Sequence, residues 1–180
     1  MGANERTFSN HLNPFADGTP TTRDRRERRV FLVIIDDTEE VEAALRFACR
    51  RAHNTGGRVA LFSAVNPQEF QHWMFVGNMM QDEAREDAEE RLQQYAAAVH
   101  HCSGEMPEIF LRDGDIRDAL FELVAEDDGI SVVVLASPSS ADQGPGPLIE
   151  ALTGKYAGKL RIPVTIVPGN LSTDEIDDLT

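Results

Sequence analysis

Few residues in this chain have both the type and the spacing that chemistry needs. Gly154-Lys155 holds the glycine and lysine of a phosphate loop, but Gly-x-x-x-x-Gly-Lys-Ser/Thr requires glycine at 149 and a hydroxyl at 156, where the chain has Ile149 and Tyr156. His100-His101-Cys102 offers three metal-binding side chains, yet neighbours on a helix point in different directions and no second ligand cluster accompanies them. Histidines at a helix end, near the negative pole of its dipole, are the simpler reading. No serine, cysteine or carboxylate pair has the flanking sequence of a nucleophile elbow or dyad. No catalytic residue and no metal ligand is assigned, and the chain is read as a non-enzyme. What remains is Asp36-Asp37, directly behind the apolar run Val30 to Ile35. An acid at the end of a buried strand either binds a ligand or caps the following helix, with Glu40 completing a capping box. Both readings stand for Asp36; for Asp37 capping is the reading.

The surrounding elements place these residues. Val30-Phe31-Leu32-Val33-Ile34-Ile35 is an unbroken apolar run rich in branched side chains, the mark of a parallel strand buried on both faces. Behind it Val41, Ala44, Leu45, Ala48 and Ala52 recur at helical spacing, and Gly56-Gly57 supplies a stop. The alternation continues with strand 59–65, a helix near 82–100, strand 108–111, helix 116–125, strand 130–136, helix 147–160 and strand 162–167. Each helix carries an apolar stripe. The pattern predicts an α/β fold: a doubly wound five-stranded parallel sheet with helices on both faces, Rossmann-like, over residues 30–169. Ligands of such sheets sit beyond the carboxyl ends of the strands, where the winding reverses. Residues 1–29 show no apolar period and read as a flexible N-terminal extension, and 170–180 as an acidic C-terminal tail.

Charge narrows the partners. The chain has 31 acids against 17 bases, a net charge of −14, and such a surface repels nucleic acid and anionic membranes. The arginines at 23, 25, 26, 28 and 29 are diluted by Asp24 and Glu27 and read as a solvated linker. No apolar stretch approaches the roughly 20 residues of a membrane span, and the N-terminus lacks a basic start and apolar run, so the expectation is a cytoplasmic protein. Cys49 and Cys102 are too few for a disulfide framework and read as reduced thiols, Cys49 as a small core residue beside the first helical stripe. The segment Phe70 to Met80 holds the only tryptophan and three of five methionines. It either folds over the sheet or presents an adaptable surface to a protein partner.

Three stretches together resemble the universal stress protein family: Val30 to Glu40 with the helix behind it, Arg112-Asp113-Gly114-Asp115-Ile116, and Ser131 to Ser137 with Ile162-Pro163-Val164-Thr165-Ile166-Val167-Pro168. Their order and spacing span nearly all of the folded region. The resemblance implies first and fourth strands flanking the switch point, and a homodimer joined through the last strand at Val164, Thr165, Ile166 and Val167. It also implies a nucleotide site at Asp36, Val65, Ala136, Ser137, Ser139 and Ser140. Members that bind nucleotide carry Gly-x-x-Gly after the fourth strand and a later Gly-Ser or Gly-Thr. Here Ala136-Ser137-Pro138-Ser139 replaces the first motif and Ile149-Glu150-Ala151 stands near the second. The glycines let backbone N–H groups turn toward phosphate oxygens; Pro138 has none to give, and Glu150 adds a carboxylate. The expectation is therefore no resident cofactor and at most weak ATP binding, in a stress-response protein acting through protein contacts. The alternative is an ATP-binding switch in which Ser137, Ser139 and Ser140 substitute hydroxyls for glycine contacts.

Overall fold

The computed structural model describes residues 29–70, 77–140, 142 and 144–180. The N-terminal extension, apart from Arg29, and most of the Phe70 to Met80 segment lie outside the described residues. Strand β1, Val30–Ile34, is buried along its whole length. Its alternating side chains feed two separate cores. Phe31 and Val33, with Ile35 just beyond, enter one; Val30, Leu32 and Ile34 enter the other. A strand without a solvent face must be central, and β1 is: the sheet order is β3-β2-β1-β4-β5, every pairing parallel. The other strands are β2 Arg58–Val65, β3 Glu108–Asp113, β4 Ile130–Ser137 and β5 Val164–Pro168.

Helices α1 (Val41–Thr55) and α2 (Gly77–Ser103) cover one face, and α3 (Ile116–Glu126) and α4 (Pro147–Thr153) the other. In α2 the residues Leu92, Ala96 and Val99 pack into the core formed with β1, β2 and α1. In α3 and α4, Leu120, Leu123, Ile149 and Leu152 close over Leu32, Phe62 and Val133. The doubly wound expectation is met.

Beyond shifts of a few residues at the element ends, two features differ from the sequence reading. Helix α4 stops at Thr153 rather than Leu160, because the backbone of Gly154 leaves helical geometry. The chain then folds into turns, with the Tyr156 N–H donating to the Ala151 carbonyl at 2.9 Å. Tyr156 lays its ring near Phe121, centroids 5.5 Å apart, while the Lys155 and Lys159 ammonium groups lie 5.4 and 4.4 Å from it. The apolar residues 156 and 160 mimic a continuing stripe, but they anchor turns.

The second difference is the acidic tail. Thr173–Asp178 is a helix, α5, opened by a reciprocal capping box between Ser172 and Glu175. Ile176 is 2% exposed and joins the core beneath α1 and α2. Asp177 accepts from Arg46 Nε and Nη2 at 3.0 and 2.8 Å and lies 3.1 Å from Arg50 Nε. A lone apolar residue among acids carries no periodicity, which is why the sequence reads as a tail. Burial of Ile176 provides most of the docking energy, since part-exposed ion pairs contribute little. Ile176→Ala is therefore expected to lower stability by about 2–4 kcal/mol in urea unfolding, whereas Asp177→Asn leaves the midpoint nearly unchanged.

Candidate functional site

At the carboxyl ends of the strands, the connections from β1 and from β4 depart to opposite faces, and a crevice opens there. After β1 the Ile35 N–H still bonds the Phe62 carbonyl at 2.8 Å, and the chain turns at Asp36. One oxygen of Asp36 accepts from the Thr38 N–H at 3.0 Å and from the Thr38 hydroxyl at 2.6 Å. A local Asx turn thus holds residues 36–38. Helix α1 begins only at Val41, preceded by Glu40, and no side chain caps it. Asp37 therefore does not cap α1, because the turn needed to leave the sheet separates it from the free N–H groups of the helix, and Glu40, itself at the N-cap position, completes no capping box because its carboxylate is turned to Ser139.

The crevice is a cavity of about 510 Å³ lined by Asp36 and Asp37 just after β1, Val65 and Asn66 at the end of β2, Asp87 and Arg91 from α2, and Asp115 and Arg117 at the start of α3. Gly114 makes the turn above β3 with φ at 125°, a conformation that side chains resist, and its N–H donates to the Val65 carbonyl at 2.9 Å. That bond fixes Asp115 at the start of α3. Asp115 accepts from the backbone N–H of Arg117 at 2.9 Å and from its Nε and Nη2 at 2.8 and 2.6 Å. The guanidinium bond, ahead of the backbone bonds, holds the Asp115 carboxyl down to about 2, and the carboxylate in turn raises Arg117. Among the charged lining residues, four carboxylates face two guanidinium groups, one of them already engaged by Asp115.

A second polar arrangement lies on the β4 side. Glu40 Oε1 accepts from the Ser139 N–H at 3.1 Å and from the Ser139 hydroxyl at 3.2 Å, and these bonds hold the Glu40 carboxyl below its usual value. Gly169 permits this approach: its N–H donates to the Ser137 carbonyl at 2.9 Å, and a Cβ there would run into the Glu40 side chain and come within 2.8 Å of that carbonyl. An internal carboxylate therefore sits on donors of the turn after β4.

The residues singled out from the sequence fall into two groups. Asp36 and Val65 line the crevice. Ala136 and Ser137 are half-buried in the ladder opposite Val167 and Pro168, Ser139 is held by Glu40, and the Ser140 hydroxyl accepts from the Asp142 N–H at 3.3 Å. Asp87, Arg91, Asp115 and Arg117 were not singled out. For Asp115 the signal existed, since Gly114-Asp115 follows a strand and opens a helix; Asp87 and Arg91 are ordinary charges on a charged helix. Among the described residues no group of three or more His, Cys, Asp or Glu is arranged to hold a metal ion, and no helix is long and apolar enough to cross a membrane.

A five-stranded parallel sheet in this order, with a polar crevice at its switch point, defines a doubly wound α/β domain. The sequence profile of the universal stress protein family matches residues 27–168, and the chain belongs to that family. Similar solved structures include the universal stress protein UspA from Lactobacillus plantarum, at 13% identity and TM-score 0.65 over 78% of this chain and 98% of the other. A universal stress protein from Archaeoglobus fulgidus aligns at 19% identity and TM-score 0.60, covering 77% and 98%. A member from Burkholderia pseudomallei aligns at 21% identity and TM-score 0.59, covering 79% and 97%. Comparison with curated proteins finds no match.

The Asp115 cap yields a pH-dependent expectation. Its folded value is depressed below the ordinary 3.8, so its stabilisation is complete above that pH and is lost as pH falls toward 2. Asp115→Ala should cost about 1 kcal/mol near neutrality, and urea unfolding of the two proteins should converge as the pH is lowered below 4.

Proposed function

We propose that this universal stress protein acts in the cytoplasm as a non-enzymatic homodimer through protein contacts, binding ATP more weakly than millimolar. The observation that carries this reading is the Glu40 carboxylate on the Ser139 N–H and hydroxyl. An anion of the chain itself uses donors that a phosphate would need, and a second anion brought there meets repulsion. Pro138 lacks an N–H, and the carboxylates of the crevice oppose a polyphosphate further. The alternative, an adenine-nucleotide switch, draws on Asp36 and Val65 in a cavity of about 510 Å³. In that reading Ala136, Ser137, Ser139 and Ser140 would complete the contacts once Glu40 gave way.

The dimer reading rests on β5. It pairs only with β4, so its outer edge is open among the described residues. Val164, Thr165 and Ile166 are half-buried, and no charge stands between Arg161 and Pro168 to protect the edge. A two-fold axis lets such a strand pair with its own copy.

Two measurements test these statements. ATP at millimolar concentration is expected to stabilise the protein by less than about 0.4 kcal/mol, and Glu40→Gln to tighten ATP binding about fivefold; a micromolar constant for the unmodified protein by calorimetry overturns weak binding. Light scattering is expected to give a dimer that Thr165→Asp or Ile166→Asp dissociates, because like charges would meet across the axis. A monomeric parent, or a dimer unchanged by both substitutions, removes this interface.

A further inference from the structure

The sheet has two outer edges, and they differ in chemistry. Strand β5 carries no charged side chain and is the edge assigned above to the dimer. Strand β3 is the other edge. It pairs only with β2, so among the described residues the backbone N–H and C=O groups that point away from β2 have no ladder partner. Ile109 and Leu111 pack on the α2 side and Phe110 on the α3 side, and all three stay half-buried, with no strand beyond them to complete their cover. Between β3 and α2 lies a cavity of about 580 Å³. Leu92, Ile109 and Leu111 make its apolar floor, and the exposed Glu86, Glu89 and Glu90 stand along it. Arg85 reaches Glu89 at 3.2 Å and Asp113 at 2.7 Å, clasping α2 to β3. Glu86 takes part in no ion pair among the described residues, and Glu90 accepts from Gln94 Nε2 at 3.4 Å. The one cation of β3, Arg112, is turned to the opposite face, where it pairs with Glu126 at 2.8 Å. The groove is therefore acidic above an apolar floor, beside unpaired backbone.

We propose that this edge docks an extended segment of a partner protein that carries lysine or arginine at alternate positions, added to the sheet as a strand beyond β3. The proposal rests on the protein-contact reading above and names a surface for it. Three features select such a segment. The open N–H and C=O groups of β3 supply the main-chain bonds by which an extended peptide joins a sheet edge. Side chains alternate across a strand, so every second one of the partner falls on the α2 side, where an aliphatic stem lies over Ile109 and Leu111 while its charged head reaches the carboxylates. The spacing agrees. Glu86 and Glu90 are one helical turn apart, about 6 Å along α2, and alternate residues of a strand are about 6.6 Å apart. A second copy of this chain fits β3 poorly, because it would bring the glutamates of both α2 helices together. The net charge of −14 also draws a basic segment in from a distance.

The probe is a capped synthetic peptide of alternating lysine and valine, titrated into the full chain at low salt and followed by calorimetry and by residue-resolved amide exchange. Binding is expected, with exchange slowed at alternate amides of Glu108–Asp113. Glu86→Gln combined with Glu90→Gln, both at exposed positions, should weaken binding about tenfold, and a peptide of alternating glutamate and valine should not bind. Of two further peptides, one N-methylated at every lysine and one at every valine, a single one should keep its affinity, since only alternate N–H groups of an added strand face β3. Absence of binding, slowing at β5 or around the crevice in place of β3, unchanged affinity in the double variant, or equal binding of both N-methylated peptides overturns the proposal. Protection of the β3 amides before any peptide is added means that this chain or a second copy already covers the edge, and overturns it too. ATP calorimetry and the β5 variants report on the earlier reading by themselves, so failure here removes the β3 surface alone.

Discussion

Strand β1 has no face toward water, and the rest of the structure follows from that. Five successive buried residues require a helix layer on each side and a paired strand at each edge. Right-handed crossovers meet these demands only if the chain leaves β1 toward one face and leaves β4 toward the other. The split between the two connections is the crevice. Asp36 comes to the surface where the buried run ends, and its position at the rim is a consequence of the core rather than a separate feature.

Electrostatics decides what that rim can do. A net charge of −14 sets the background, and the crevice repeats it locally, with Asp36, Asp37, Asp87 and Asp115 opposed by Arg91 and Arg117. Asp115 engages Arg117 through backbone and side-chain bonds at once, so that guanidinium is oriented along its own helix start. On the β4 side Glu40 reaches Ser139 and occupies its donors.

The layer above this face is more closely tied than the chain's composition implies. Helix α5 adds Ile176 to the core shared by α1 and α2, and Asp177 bridges to Arg46 and Arg50.

The sequence by itself determined the five strands, their parallel order of use and the helix on each crossover, because burial on both faces writes an uninterrupted apolar run and burial on one face writes a 3.6-residue stripe. It also determined that Asp36 would stand at the end of β1, since one residue separates Ile35 in the core from the rim. Only the tertiary structure decided that Glu40 meets Ser139, 99 residues away, that Ile176 is core, and that Tyr156 anchors a turn rather than a helix. Periodicity records the face an element presents to the core; which side chains meet across that core depends on strand register and helix packing, and no local pattern encodes either.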